Sequence, residues 1–167
     1  MGKAMPDFTS MILRFRDLST PAGTTTIDEH VRIIREHEHV WWGWWRKQGE
    51  TVPEVAFREI FEAIRATGPF RIFLFDTGKY RLYRAQLTDI QWHNRLQSIP
   101  TPDREITPNY YGDSHYLAWF KMDFIGEERV DENELSAWSY VRVDDFTIQK
   151  SRFLTPFTTS RFRHSKS

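Results

Sequence analysis

The residues of this sequence best suited to molecular recognition are four tryptophans in a run of five, Trp41-Trp42-Gly43-Trp44-Trp45. A strand places alternate side chains on opposite faces, so Trp42, Trp44 and Arg46 would share one face. Two indoles beside a guanidinium can stack on a flat base and hold a cation or a phosphate. We therefore predict that this face binds a ligand, while the other face of the strand meets the core. The alternative is that both faces are buried, although four indoles are hard to bury together.

A second candidate lies at the end of a long connection, in Thr107-Pro108-Asn109-Tyr110-Tyr111-Gly112-Asp113. Pro and Gly on either side stiffen the two tyrosines, each of which offers a ring face and a hydroxyl. Long connections inside a compact domain are more often functional than idle. We predict that Tyr110 and Tyr111 form the wall opposite the tryptophans. The alternative is that this loop only packs on the sheet.

Catalytic and metal-binding patterns are scarce in the sequence. It has no cysteine, and it lacks the HExxH, GxSxG, P-loop and GxGxxG patterns. His30 and His37 lie two helical turns apart, which is too far for them to share one metal. We predict no enzymatic activity, no metal and no cofactor. An enzyme acting on a nucleotide or an RNA end would require His93, Asp113 and His115 to converge in one cleft.

The elements that position these residues are five to seven strands and two helices. Periodicity predicts strands at Met11–Arg16, His39–Arg46, Phe70–Phe75, Tyr80–Trp92, His115–Ile125 and Leu135–Val143, with a further strand at Phe146–Phe153. One helix is predicted to be capped by Thr26, with Glu29 completing a capping box, and the other to begin at Pro53 and stop at Gly68-Pro69. The predicted fold class is α+β: a small mixed, partly closed β-barrel with two or three flanking helices.

Composition indicates one domain of ordinary size, because the chain has 167 residues and 40% of them are apolar. The formal net charge is zero, which argues against a protein that binds long nucleic acid through contacts with many phosphates. No apolar run approaches the roughly 20 residues of a membrane span, and no secretory signal is apparent, so we expect a cytoplasmic protein. We divide the chain into a disordered leader (1–10), a domain (11–154) and a basic C-terminal tail (155–167).

The order of these features resembles the EVE-type members of the PUA-like superfamily, relatives of the YTH and ASCH domains. Trp44-Trp45-Arg46-Lys47-Gln48-Gly49-Glu50 is similar to the family's first strand, whose Trp precedes a charged turn. The hairpin from Phe70 to Leu87 and the Pro108-Asn109-Tyr110-Tyr111 loop, which leads into the strand at Trp119, resemble the elements that follow. Gln48-Gly49 stands where the family shows Ser-Glu, and the family's second Trp-Asp-Gly motif has no counterpart.

This resemblance implies a small β-barrel whose pocket takes a flat base, because EVE, YTH and ASCH domains are associated with recognising modified or flipped bases. The residues that it implies at the pocket, together with those from the strand alternation, are Trp42, Trp44, Arg46, Lys47, Gln48, Tyr110, Tyr111 and Trp119. Similar tryptophan-rich domains precede effector modules in bacterial proteins. The resemblance therefore also implies the sensor part of a larger bacterial protein with a fused effector.

Two hypotheses of different classes follow. In the first, the chain is a non-catalytic recognition domain that binds a nucleobase, nucleotide or modified base of a nucleic acid in an aromatic pocket. In the second, the tryptophan face is a protein-interaction or dimerisation surface, since exposed Trp, Tyr and Arg are typical interface anchors. The two hypotheses differ in the oligomeric state that they predict. Neither involves a membrane.

Overall fold

The computed structural model describes residues 8–17, 20–44, 54–128, 138–140, 143–147 and 159–164, with side chains for residues 11–17, 20–44 and 54–128. These residues form one mixed sheet and two α-helices. The strands are β1 (Phe8–Phe15), β2 (Val40–Trp44), β3 (Phe70–Asp76), β4 (Arg81–Trp92), β5 (Ala118–Glu127), β6 (Trp138–Tyr140), β7 (Val143–Thr147) and β8 (Thr159–His164). The helices are α1 (Thr26–His37) and α2 (Glu54–Thr67).

The strand order in the sheet is β2-β5-β4-β3-β1-β8-β6-β7. β1 and β3 are parallel, and the other strand pairs of the described residues are antiparallel. A parallel pair requires a long crossover, and α1, β2 and α2 supply it. This architecture confirms the predicted α+β class with a mixed sheet and two flanking helices.

Helix α1 begins one residue earlier than the sequence suggested. The hydroxyl of Thr25 accepts a hydrogen bond from the Asp28 N–H at 3.0 Å, so Thr25 rather than Thr26 is the N-cap. At the other end, Glu38 adopts a left-handed conformation with φ of 72° and closes the helix. Helix α2 ends at Thr67, and the positive φ of Gly68 accounts for the predicted stop.

The predicted hairpin is formed by β3 and β4, which pair from Phe70 with Leu87 to Asp76 with Arg81. The carboxylate of Asp76 accepts from the N–H groups of Gly78 and Lys79 at 2.9 and 3.0 Å, and these bonds fix the turn. Beyond Leu87 the last five residues of β4 extend past β3, and residues 89–92 pair with β5. Among the described residues, β4 therefore has an open edge over residues 88–92, next to α2.

The main core lies between the sheet and the two helices, which pack on the same sheet face. Ile33 of α1 and Phe57 of α2 meet side chains from five strands. These strand residues include Leu13, Phe15, Trp42, Trp44, Leu74, Leu87 and Phe120. Each such side chain contributes about 1.5–3 kcal/mol by leaving water, so this layer holds the sheet and helices together.

The ends of the sheet differ from the predicted division of the chain. β1 begins at Phe8, three residues inside the segment expected to be a leader, and pairs with β8 through Leu13. β8 covers residues 159–164, inside the segment expected to be a tail. The division itself stays a prediction, but local patterns did not indicate the first residues of β1 or the strand β8, because the pairing partner of a terminal strand is distant in sequence. β6 lies within the strand predicted at residues 135–143, and β7 overlaps the start of the strand predicted at residues 146–153. The remaining residues of these two predicted strands, apart from Val143, lie outside the described residues.

Candidate functional site

The tryptophan strand is buried on both faces, which corrects the prediction of an open ligand face. Trp42 and Trp44 are each 1% exposed and belong to the main core. Trp41, on the other face, is 3% exposed and belongs to a separate aromatic cluster. The predicted alternation is confirmed, but the face chosen for a ligand is the one that α1 and α2 cover. The predicted residues Arg46, Lys47 and Gln48 lie outside the described residues.

Tyr111 joins the long loop to β2 and α1 through its hydroxyl. The Gly43 N–H donates to the Tyr111 oxygen at 3.2 Å, and the same oxygen lies 3.3 Å from Nε2 of His30. Nδ1 of His30 lies 2.7 Å from the Thr26 carbonyl, which can only accept, so Nδ1 carries the proton. Nε2 is then an acceptor, and the Tyr111 hydroxyl donates to it. One hydroxyl therefore satisfies a backbone donor on β2 and an imidazole on α1.

Burial keeps both side chains of this network neutral. Removal from water lowers the pKa of His30 to about 4, against the smaller opposing effect of its bond to the Thr26 carbonyl. Burial also raises the pKa of Tyr111 well above its usual value. The ring of His30 lies 4.3 Å from that of Trp42, between centroids. A neutral, saturated and enclosed network of this kind is suited to positioning the loop rather than to proton transfer with a ligand.

Around Tyr111 the loop and sheet build an aromatic cluster that consists of Trp41, Tyr110, Tyr111, Tyr116 and Trp119. Tyr110 and Tyr111 are stacked with ring centroids 4.7 Å apart, and Trp119 meets Tyr111 edge-on at 5.4 Å. The Trp119 N–H donates to the Ile99 carbonyl at 2.9 Å. The structure thus brings three of the predicted site residues together, but as a packed wall in which Tyr111 is 5% and Trp119 0% exposed.

Gly43 allows this wall to lie close to β2. A β-carbon at that position would stand 2.8 Å from Cδ2 of Tyr116 and 3.0 Å from Cζ3 of Trp119. The glycine in the tryptophan run therefore makes room for the two rings. The loop covers β2, which is the terminal strand of the described sheet.

A cleft of about 660 Å³ lies between α2 and the open edge of β4, and it is here called the α2/β4 cleft. Helix α2 lines it with Arg58, Phe61 and Arg65, which share one helix face at spacings of three and four. The full lining is Glu54, Arg58, Phe61, Arg65, Asp89, Ile90, Gln91, Trp92, Asn94 and Ile99. Sequence reasoning missed this site, although the Arg-aromatic-Arg face of α2 was a readable signal.

Two aromatic rings form the apolar part of the α2/β4 cleft. Phe61 and Trp92 meet edge-to-face with centroids 5.9 Å apart, and both side chains are partly buried. Trp92 also contacts Phe57, which in turn meets Trp44 at 5.7 Å. The predicted Trp44 therefore supports the cleft from behind rather than lining it. Its indole nitrogen is buried and has no hydrogen-bond partner among the described residues.

Charged and polar side chains of α2 and β4 line the cleft together with these rings. The guanidinium of Arg65 lies 5.6 Å from the Phe61 centroid, and Arg58 forms an ion pair with Glu54 at 3.1 Å. On the strand, the Asp89 carboxylate accepts from the Ile90 N–H at 2.9 Å and from the Gln91 side chain at 3.4 Å. Asp89 thereby satisfies the backbone N–H of Ile90 and places a carboxylate in the lining of the cleft.

The enzymatic alternative required three side chains to converge. Asp113 and His115 line a separate pocket of about 210 Å³ with Arg104, but His93 does not line it. Within the described residues no group of three or more His, Cys, Asp or Glu side chains is placed to hold a metal ion. In the same part of the chain, neither helix has the length and apolar character needed to cross a membrane.

Comparison with known proteins gives a family for the chain. No curated protein and no solved structure is significantly similar to it. The Pua-like family, in contrast, matches residues 11–165, which include the tryptophan strand, the hairpin, the tyrosine loop and β8. The narrower likeness to EVE-type members stays a prediction. Because the match extends over nearly the whole chain, this protein belongs to the Pua-like family.

Proposed function

We propose that this protein is a non-catalytic recognition domain that binds a nucleobase of a nucleic acid in the α2/β4 cleft. Membership of the Pua-like family favours nucleic-acid recognition. The observation that carries the proposal is the composition of the cleft, where ring faces, guanidinium groups and carboxamides converge around about 660 Å³. That volume falls in the usual range for small-ligand sites.

Phe61 and Trp92 supply the surface for the base. Their rings stand at 86° to each other, so a flat ligand can stack on one ring and meet the edge of the other. Base–aromatic stacking contributes about 1–3 kcal/mol per base. Gln91 and Asn94 are both exposed and carry donor and acceptor groups for the edge of a base. Asp89 can accept from an exocyclic amino group.

Arg65 is the cation of the cleft that best fits a phosphate. It is exposed and makes no ion pair within the described residues, whereas Arg58 is paired with Glu54. A guanidinium binds phosphate through two parallel hydrogen bonds, which gives direction as well as affinity. Glu54 and Asp89 offset the two arginines, so we expect affinity to depend on stacking and on few phosphates.

The site residues predicted from the sequence take different parts in this proposal. Trp42, Trp44, Tyr111 and Trp119 are buried and fix the elements around the site, and Tyr110 is partly buried beside them. Arg46, Lys47 and Gln48 belong to the segment that connects Trp44 to Glu54, a lining residue of the cleft. We propose that Arg46 and Lys47 add positive charge and that Gln48 adds a base-edge contact. We further propose that the bound base is a modified one, which the EVE-like motifs support.

Dimerisation through the tryptophan face finds little support, because Trp42 and Trp44 are covered by α1 and α2 of the same chain. A partner could reach them only if the helices moved away. Sedimentation of the free protein and of its complex with an oligonucleotide tests this alternative. A dimer that dissociates when Phe61 is replaced by Ala would instead indicate that the α2/β4 cleft binds protein rather than a base.

The test of the proposed function is binding of fluorescent single-stranded DNA and RNA and of mononucleotides, measured by anisotropy. Phe61→Ala should weaken binding by roughly five- to a hundredfold, from the loss of stacking. Arg65→Ala should weaken binding to all sequences and lower the slope of log affinity against log salt by about one.

Arg35→Ala is the matched control, since Arg35 is an exposed arginine in the last turn of α1 and does not line the cleft. It should bind as the wild type does. Equal losses for Arg65→Ala and Arg35→Ala, or unchanged binding by Phe61→Ala, would remove the cleft as the site. Failure of the wild type to bind any nucleotide or oligonucleotide would overturn the proposed function itself.

A further inference from the structure

A second groove lies on the sheet face opposite the helices and is separate from the α2/β4 cleft. Three side chains form a row across neighbouring strands, because Arg71 pairs with Gln86 and Gln86 pairs with Phe124. The adjacent row of Ile72, Ala85 and Ile125 belongs to the main side of the sheet, so the first row points away from the helices. With Pro69 and Arg84 these residues line a groove of about 350 Å³, here called the Phe124 groove.

Phe124 is an exposed aromatic ring that the backbone holds in place. Its side chain is 42% exposed, and only Val55 is a comparably exposed large apolar residue in the described part of the chain. The ring lies against Gly126, where a β-carbon would come within 2.8 Å of Cζ. A double register shift between β4 and β5 at residues 86–89 turns Phe124 to the outer face, although Met122 faces the core.

Cationic groups flank the exposed ring. The Arg84 guanidinium lies 5.3 Å from the Phe124 centroid, and its nearest carboxylate contact is a long one of 3.9 Å to Glu128. Arg71 is exposed in the same row, and the Gln86 carboxamide stands between it and the ring. A ring face, a carboxamide and two guanidinium groups match the base, base edge and phosphates of a nucleotide.

We propose that the Phe124 groove binds a second nucleotide of the same strand, so that the ligand is a single-stranded oligonucleotide rather than a free nucleotide. This inference rests on the proposed function of the α2/β4 cleft. Both sites share β4: Gln86 belongs to the groove and Gln91 to the cleft. Five residues of a strand span roughly 16 Å, so one nucleotide cannot occupy both sites but a chain of several nucleotides can.

The test compares a mononucleotide with a ten-nucleotide single strand of DNA or RNA on the wild type and on Phe124→Ala. The substitution removes an exposed ring, so the thermal unfolding midpoint should stay close to that of the wild type. Oligonucleotide affinity should fall roughly five- to a hundredfold, while mononucleotide affinity should stay within about twofold. Phe124→Trp should restore oligonucleotide binding, and Arg84→Ala should reduce the salt dependence of the oligonucleotide alone.

The possible failures separate the two proposals. If Phe124→Ala leaves oligonucleotide binding intact while Phe61→Ala weakens it, the groove is not a nucleotide site and the cleft stands. If Phe124→Ala weakens binding of both ligands while Phe61→Ala weakens neither, the cleft fails and the two-site inference fails with it. If polyglutamate displaced the labelled oligonucleotide as effectively as an unlabelled oligonucleotide does, the groove would be a site for acidic protein segments. This result would overturn the inference.

Discussion

The buried imidazole of His30 should make the stability of this protein depend on pH in the weakly acidic range. Burial lowers the pKa of His30 to about 4 in the folded chain, whereas an unfolded histidine titrates near 6.5. Below about pH 6.5 the unfolded chain therefore binds a proton that the folded chain excludes, and the free energy of unfolding falls as the pH falls. From about pH 7.5 to about pH 5 the expected loss is about 2 kcal/mol, and it approaches about 3 kcal/mol near pH 4.

Urea unfolding followed by tryptophan fluorescence at these pH values measures this loss. In His30→Gln the pH-dependent loss should be smaller than in the wild type by most of that amount, although the variant starts from a lower stability. His37→Gln is the matched control, because His37 is a partly exposed imidazole at the end of the same helix. If the stability of His30→Gln kept the wild-type pH dependence, the conclusion that His30 is buried and neutral would be wrong. If that variant does not fold, an NMR titration of the His30 ring in the wild type gives the pKa directly.

Three further comparisons, all by urea unfolding, test the packing of the aromatic cluster around Tyr111 and Gly43. Tyr111→Phe removes the hydroxyl that bonds both Gly43 and the His30 imidazole, so it should lower the free energy of unfolding by about 1–3 kcal/mol. Tyr116→Phe, on a partly exposed ring, should lower it by less. Trp119→Phe should lower the free energy of unfolding by about 1 kcal/mol more than Trp44→Phe, because both indoles are buried but, among the described residues, only the Trp119 N–H has a partner; equal costs would contradict this. Gly43→Ala should lower the free energy of unfolding by about 1–3 kcal/mol, because the added methyl group overpacks the cluster. Adding Tyr116→Ala removes one of the clashing rings, so the double variant should recover part of that loss.

Local sequence patterns predicted the elements of this fold well where one segment alone determines them. The β3–β4 hairpin follows from an apolar run, a turn in which Asp76 accepts from two N–H groups, and a second strand pattern after the turn. The stop of α2 follows from Gly68, and the alternation of the tryptophan strand was also correct. The start of α1 was wrong by one residue, because adjacent threonines at 25 and 26 offer the same capping group and only the backbone angles choose between them.

The candidate site shows where such patterns stop being informative. Alternation of the strand residues placed Trp42 and Trp44 on one face, but no local sequence pattern indicated which face the helices would cover. The α2/β4 cleft joins a helix face to a strand end about thirty residues later in the chain, and the open edge exists because β3 starts at Phe70, short of the end of β4. Phe124 points outwards because of register shifts that no period of two predicts.

The sequence by itself determined the α+β class, the hairpin, the aromatic loop and the likeness to PUA-like proteins. These are properties of local propensity and of residue order, and they do not depend on how distant segments pack. Only the tertiary structure decided that the tryptophans fill the core, that Tyr111 holds the loop to β2 and α1, and that the open rings are Phe61, Trp92 and Phe124. The physical reason is that exposure depends on which surfaces cover one another, and both the covering helices and the pairing strands are distant in sequence from the residues that they bury.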